Sequence, residues 1–150
     1  IHPYELGTHT LYVAFDSGND LLGVVHVRTE RGNWGLTEIA WLLDPDLRVA
    51  GMKFQRVRDR NQEYIESASF QGQVRGKGFH ELRGLLNADG TRLAEGGLEV
   101  PKDARPLAVS VIRSSLKTIL ASSIVWKDAL EQVGWPGGLL LSPKTTEDRR

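Results

Sequence analysis

Alternation of apolar and polar residues predicts at least four β-strands in the first part of the chain. The alternation is clearest in the third strand, where Ile39, Trp41 and Leu43 occupy one face, because successive side chains of a strand point to opposite sides of the sheet. Asn33–Trp34, framed by glycines, precedes this strand and Asp44–Asp46, with a central proline, follows it. Both sequences are typical of tight turns, so the pattern predicts an antiparallel meander.

The second predicted strand covers residues 21–30. Its alternation places Val25 and Val27 on one face and His26 and Arg28 on the other. Since valine is more often buried than histidine or arginine, we expect the valines on the core face.

Two glycines indicate local irregularities in these strands. Gly23 predicts a bulge or a close approach of another backbone, because a glycine inside a strand has no side chain to pack. In the fourth strand the apolar positions change parity at Gly51, which is typical of a β-bulge. If this strand continues, its apolar face runs into three arginines: Arg56, Arg58 and Arg60.

The second part of the chain has the 3.6-residue period of helices. Residues 61–73 and 79–86 predict two short helices, and the strongest pattern predicts one long helix from about Asp103 to Val133. We expect Asp103 to cap this helix, Pro106 to lie in its first turn and Gly134 to end it. The positions expected to face the sheet are Ile112, Leu116, Ile119, Ser123, Trp126, Leu130 and Val133.

Together these elements predict a single α+β domain over residues 1–142, with a flexible tail over residues 143–150. Its antiparallel, twisted sheet is packed by the long C-terminal helix and flanked by short helices. A length of 150 residues with 40% hydrophobic and 25% charged residues is ordinary for one soluble domain.

Composition excludes several classes of partner and cofactor. Lysine plus arginine and aspartate plus glutamate number 19 each, so net charge predicts no nucleic-acid partner. The absence of cysteine excludes disulfides, thiolate zinc sites and iron–sulfur clusters. No pair of histidines has metal-binding spacing, and no serine stands in a nucleophile elbow. We therefore predict no catalytic residues and no metal ligands.

The basic residues are compatible with one kind of site, a phosphate-binding site. Arg105 lies at the predicted start of the long helix, where fixed cations and helix amide groups can bind phosphate. Further basic residues are clustered in sequence at Arg56, Arg58, Arg60, Arg75, Lys77 and Arg83. A solvated basic face is the alternative interpretation, and residue types alone favour it over a phosphate site.

The order of several segments resembles a known family, the FMN-binding domain of extracytoplasmic subunits of the sodium-pumping NADH:quinone reductase and Rnf electron-transport complexes. The similarity covers about residues 21–133. The segments that carry it are Leu22–Val25, Leu36–Leu43, the Asp44–Asp46 turn, Arg48–Met52 and Phe70–Lys77. The last of these fits the family pattern Phe-x-x-Gln-hydrophobic-x-Gly-Lys.

This resemblance implies a flavoprotein of membrane electron transport, a redox accessory and not a stand-alone enzyme. It implies FMN with its rings near Trp34, Gly35 or Trp41 and its phosphate near Lys77, Asp103 or Arg105. It also implies an extracytoplasmic location, periplasmic or at the cell surface, through an anchor or signal encoded before Ile1.

The family's attachment motif is where this chain departs from the pattern. Members with covalent flavin have Ser-Gly-Ala-Thr at the start of the last helix, and the threonine hydroxyl is esterified by the FMN phosphate. The corresponding residues here are Lys102–Arg105, with arginine in place of threonine. We therefore expect no covalent flavin, and any FMN would be bound non-covalently. The alternative is a flavin-free domain on the same scaffold that binds a protein or another small anion.

Overall fold

The computed structural model describes residues 10–32 and 35–135. Over these residues the chain forms an α+β fold with one open antiparallel sheet in the order β1-β2-β3-β4, which confirms the predicted fold class. The strands are β1 (Thr10–Phe15), β2 (Leu21–Gly32), β3 (Gly35–Leu43) and β4 (Val49–Arg56). The helices are α1 (Gln62–Glu66), α2 (Ala68–Val74), α3 (Phe79–Gly84), α4 (Arg105–Ile124) and α5 (Lys127–Gln132). The predicted tail lies outside the described residues.

The third strand and the turn after it have the predicted structure. Ile39, Trp41 and Leu43 are buried on the core face of β3. In the turn that follows, the Leu47 backbone N–H donates to the Asp44 carbonyl oxygen at 2.9 Å. The Asp44 carboxylate accepts the N–H of Asp46 at 2.9 Å, a bond that fixes this kind of turn.

The second strand buries His26 and Arg28 instead of Val25 and Val27, so the predicted orientation of β2 is wrong. His26 is fully buried and Arg28 is 3% exposed, whereas Val25 and Val27 lie half-buried on the outer face. Opposed residues of an antiparallel pair point to the same side of the sheet, and His26 lies opposite Trp41. The strongly apolar face of β3 therefore decides which face of β2 is buried.

Both glycine irregularities are confirmed. Gly23 has a φ of 152°, and a Cβ atom there would lie 2.1 Å from the Leu43 carbonyl oxygen. In β4, Gly51 lies opposite Leu42 and Val49 lies opposite Leu43, so one extra residue forms a bulge. The strand ends at Arg56, which leaves Arg58 and Arg60 in the following loop.

The helix predicted over residues 61–73 is divided in two at Ser67. Ser67 has an extended backbone with a ψ of 152°, and its hydroxyl accepts the N–H of Phe70 at 3.3 Å. Serine favours this capping position because its side chain satisfies a backbone donor of the first turn. Ser67 therefore ends α1 and begins α2.

The long predicted helix is also interrupted. A 3₁₀ turn, Lys102–Ala104, precedes α4, and residues 125–126 separate α4 from α5. Asp103 lies inside the 3₁₀ turn and does not cap α4, whose N-cap residue is Ala104 without a side-chain bond. Pro106 is in the first turn of α4, as predicted, because the turn tolerates its missing N–H.

Gly134 ends α5 as predicted. It adopts a φ of 82°, and its N–H donates to the Glu131 carbonyl oxygen at 3.2 Å. The next residue, Trp135, donates its N–H to the Leu130 carbonyl oxygen at 3.0 Å. This pair of bonds is the Schellman motif, which satisfies the last carbonyls of a helix.

The predicted apolar stripe of the long helix is buried over most of its length. Ile112, Leu116, Ile119 and Leu130 belong to the core, but Val133 is exposed. Residues 102–124 are long and apolar enough to cross a membrane, because they contain an 18-residue window with a mean hydropathy of 1.3, yet 67% of that window is buried inside the fold. Such burial is typical of the core helix of a globular domain.

Candidate functional site

The start of α4 gathers polar side chains from two distant segments. Arg60 donates from Nη2 to the Asp103 carboxylate at 3.4 Å, and Asn61 donates from Nδ2 to the Asp103 carbonyl oxygen at 3.1 Å. Asn61 is in turn bound to the Asp59 carboxylate at 2.9 Å. Arg105 follows two residues after Asp103 and is exposed. We call Arg60, Asn61, Asp103 and Arg105 the helix-start cluster.

The backbone amide groups at this helix start are mostly occupied. Ala104 donates its N–H to the Pro101 carbonyl oxygen at 2.9 Å, and Arg105 donates its N–H to the Lys102 carbonyl oxygen. Pro106 has no N–H to donate. An anion bound here would therefore be held mainly by the guanidinium groups of the helix-start cluster, which suit the paired oxygens of phosphate.

Lys77 lies away from the helix-start cluster. Its carbonyl oxygen accepts the N–H of Val49 at 3.0 Å, at the beginning of β4. Arg60 follows the other end of that strand, and an eight-residue strand spans about 20 Å or more. The structure therefore does not bring Lys77 together with Arg105.

The turn that contains Lys77 is held by an ion pair. Arg48 donates from Nη1 to the Gly76 carbonyl oxygen at 2.7 Å and to the Glu81 carboxylate at 2.6 Å. Glu81 also accepts the N–H of Gly78 at 2.9 Å. The Gly78 N–H and the Arg48 guanidinium hold the pKa of the Glu81 carboxyl below its usual range, because both favour the charged form.

Replacing Glu81 with glutamine is expected to cause a small loss of stability that depends on pH. A lowered folded-state pKa stabilises the fold above the unfolded-state pKa, and this contribution disappears as pH falls through the folded-state value. Urea unfolding of both proteins should therefore differ at neutral pH and converge in acid. A difference that grows on acidification would contradict the prediction.

The residues predicted to lie near the flavin rings are Trp41, Gly35 and Trp34, and the structure describes the first two. Trp41 is fully buried and donates from Nε1 to the Ser114 hydroxyl at 3.0 Å, so its ring is a core side chain with no face open to a ligand. Gly35 begins β3 with a φ of 123° and is exposed. Trp34 lies outside the described residues, and its role remains a prediction.

A buried row of hydroxyl groups on α4 was not predicted. Ser114 accepts the Trp41 bond, and the Ser122 oxygen lies 3.3 Å from His26 Nδ1. Thr118, one turn from each serine, is fully buried, and its hydroxyl has no hydrogen-bond partner among the described residues. The signal in the sequence is the four-residue spacing, which places all three on one helix face.

An ion-pair network fixes this face of α4 to β2. Arg28 Nε lies 2.6 Å from one oxygen of Glu30, and Lys117 Nζ lies 3.2 Å from the other. Arg28 is 3% exposed, Glu30 13% and Lys117 20%. The Arg28–Glu30 pair lies within β2, whereas the Lys117–Glu30 pair joins α4 to β2 and so holds the helix in register on the sheet.

The helix-start cluster combines two guanidinium groups, those of Arg60 and Arg105, with the carboxylate of Asp103. Over residues 10–32 and 35–135, no group of three histidine, aspartate or glutamate side chains could hold a metal ion. No protein-family model matches the chain, and no curated protein matches it. The resemblance to the FMN-binding family thus rests on the sequence motifs.

Proposed function

We propose that this chain is an extracytoplasmic redox-accessory domain that binds FMN non-covalently, with the FMN phosphate at the helix-start cluster. The observation that carries the proposal is the contact of Arg60 with Asp103, two residues before Arg105 at the start of the longest helix. The Arg105 side chain itself donates from Nε to the Val100 carbonyl oxygen at 3.5 Å. The resemblance locates the flavin phosphate at the same end of the last helix. A partner complex in membrane electron transport is part of this proposal.

Non-covalent binding follows from where the hydroxyl groups lie. Arg105 and Pro106 provide none at the helix start. Ser110 is one turn further along and bonds back to the Pro106 carbonyl oxygen at 3.2 Å. Thr118 is fully buried, so neither position resembles the threonine at the helix start that the family esterifies.

In this role the cofactor would supply the electron chemistry and the chain would supply binding and orientation. The Arg105 guanidinium would pair with two phosphate oxygens, and Arg60 would add a second positive charge. Asp103 partly offsets these charges, because its carboxylate repels a phosphate. We therefore expect moderate affinity that decreases with added salt.

Replacing Arg105 with alanine should weaken FMN binding about five- to tenfold, since a charge-assisted bond at an exposed site is lost. The same change should leave the weaker binding of riboflavin, which lacks the phosphate, unaltered. Fluorescence titration of both ligands measures the two affinities. Arg75→Ala is the matched control, because Arg75 is also exposed and lies at the end of α2.

Equal effects of Arg105→Ala and Arg75→Ala on FMN affinity would contradict the proposed phosphate position. Titration with inorganic phosphate distinguishes the alternative function. If phosphate binds as tightly as FMN and Arg105→Ala weakens both, the domain is a binder of small anions. The observation that favours this alternative is the burial of Trp41, because a buried ring cannot contact the flavin rings as the resemblance implies.

A further inference from the structure

The two outer edges of the sheet, at β1 and at β4, differ in how far other segments cover them. The outer edge of β4 is covered by neighbouring segments. Phe54 donates its N–H to Glu66 Oε1 at 3.0 Å, and the Met52 carbonyl oxygen accepts a bond from the Gln71 side chain at 3.1 Å. Val49 exchanges backbone bonds with Gly76 and Lys77. These bonds satisfy backbone groups that would otherwise pair with another strand.

The free edge of β1 has no such cover in the described part of the chain. There, Thr10–Phe15 makes no hydrogen bond beyond its pairing with β2. The strand contains no charged residue and no proline, which are the usual protections of an edge strand. Its sequence, rich in β-branched and aromatic residues, also favours the extended conformation.

An apolar row leads to this edge across the outer face of the sheet. Tyr12 lies opposite Val25 in β2, and Val25 lies opposite Leu42 in β3. Tyr12 is 60% exposed and Leu42 is 38% exposed. This row of the outer face is therefore apolar up to β1, whose outward backbone groups have no partner in the described part of the chain.

We propose that β1 pairs with β1 of a second copy of this chain, in antiparallel orientation around a twofold axis at Tyr12. Opposed residues of such a pair must point to the same side of the sheet, and this condition allows Tyr12 to oppose Tyr12 of the second copy. Leu11 then opposes Val13 on the core side, and Thr10 opposes Ala14 on the outer side.

This register is self-complementary because every opposed pair is uncharged. The two tyrosines meet on the outer face, where opposed aromatic side chains stabilise a strand pair. The product is a continuous eight-stranded sheet with twofold symmetry, the commonest symmetry of protein dimers. The proposal does not depend on any bound flavin.

The interface is small, so the dimer should form reversibly with rising concentration. Pairing of six-residue strands covers less than the roughly 800 Å² per partner of a stable interface. Sedimentation at increasing protein concentration should show a monomer–dimer equilibrium. Tyr12→Lys should shift it to monomer, because two opposed lysines repel each other, while circular dichroism confirms that the fold is retained.

A cysteine introduced at the axis tests the register directly, because the chain contains no cysteine of its own. In the proposed dimer the two cysteines of Tyr12→Cys face each other within disulfide distance, about 6 Å between Cα atoms. Thr10→Cys is the matched control on the same edge and face. Its two cysteines would be separated by about 13 Å along the strands.

We expect Tyr12→Cys to form a disulfide-linked dimer under mild oxidation at least tenfold faster than Thr10→Cys. Equal rates, or faster linkage of Thr10→Cys, would overturn the register. A protein that stays monomeric at all concentrations would overturn the dimer itself and would indicate that the β1 edge is covered by another segment of the same chain.

Discussion

Replacing Gly23 with alanine is expected to destabilise the fold by about 3–5 kcal/mol. The φ of 152° is a backbone conformation that residues with a side chain rarely adopt. In addition, the new Cβ would lie 2.1 Å from the Leu43 carbonyl oxygen, so β2 and β3 must move apart in the centre of the sheet. Urea unfolding measures the loss of free energy.

Gly72→Ala is the control for this prediction, with the opposite expected sign. Gly72 lies inside α2 and does not have a positive φ, and a Cβ atom there would have no described atom outside its own helix backbone within 4 Å. Alanine there should stabilise the helix by about 0.5–1 kcal/mol. A loss below about 1 kcal/mol at Gly23 would mean that the strands do not approach as closely as described.

Replacing Glu30 with alanine is expected to destabilise the fold by about 3 kcal/mol. Glu30 is the only residue among those described to which the Arg28 side chain forms a hydrogen bond. With Arg28 only 3% exposed, removal of Glu30 leaves a buried charge without compensation, which is among the costliest single changes in a protein. Thermal and urea unfolding measure the loss.

Two further variants separate the charge effect from simple loss of packing. Lys117→Met removes the more exposed cation and keeps the Arg28–Glu30 pair, so the expected loss is below about 1 kcal/mol. The double variant Arg28→Met with Glu30→Leu removes both buried charges and should recover most of the stability lost in Glu30→Ala. A double variant as unstable as the single one would refute the explanation.

The parts of the fold that local sequence determines were predictable. The alternation in β3, the turn at Asp44, the bulge at Gly51 and the end of α5 at Gly134 depend on neighbouring residues only. The break of α4 after Ile124 is marked by neither glycine nor proline, so the sequence pattern continued across it.

The orientation of β2 was not predictable from β2 itself. His26 and Arg28 are buried because His26 lies opposite Trp41 and because Ser122 and Glu30 bind these polar side chains. Ser122 is 96 positions from His26 in the sequence. Only the folded arrangement shows that a partner for a buried histidine exists.

The candidate site was predictable in part for the same reason. Asp103 and Arg105 lie at the start of the last helix region, as predicted, and Arg60 joins them through a loop whose course the sequence does not show. Lys77 and Trp41 were grouped with them by motif and composition. The length of β4 separates Lys77 from the helix-start cluster, and the Trp41 side chain is packed in the core against α4.

Flavin analysis of the protein isolated from its natural host tests the central proposal most directly. The absorbance spectrum is recorded, the protein is denatured, and small molecules are separated from the chain by filtration. Non-covalent binding predicts a yellow protein that releases FMN into the filtrate and leaves a chain of unmodified mass. Flavin retained on the denatured chain would contradict non-covalent binding, and a protein without any flavin would contradict the flavin function itself.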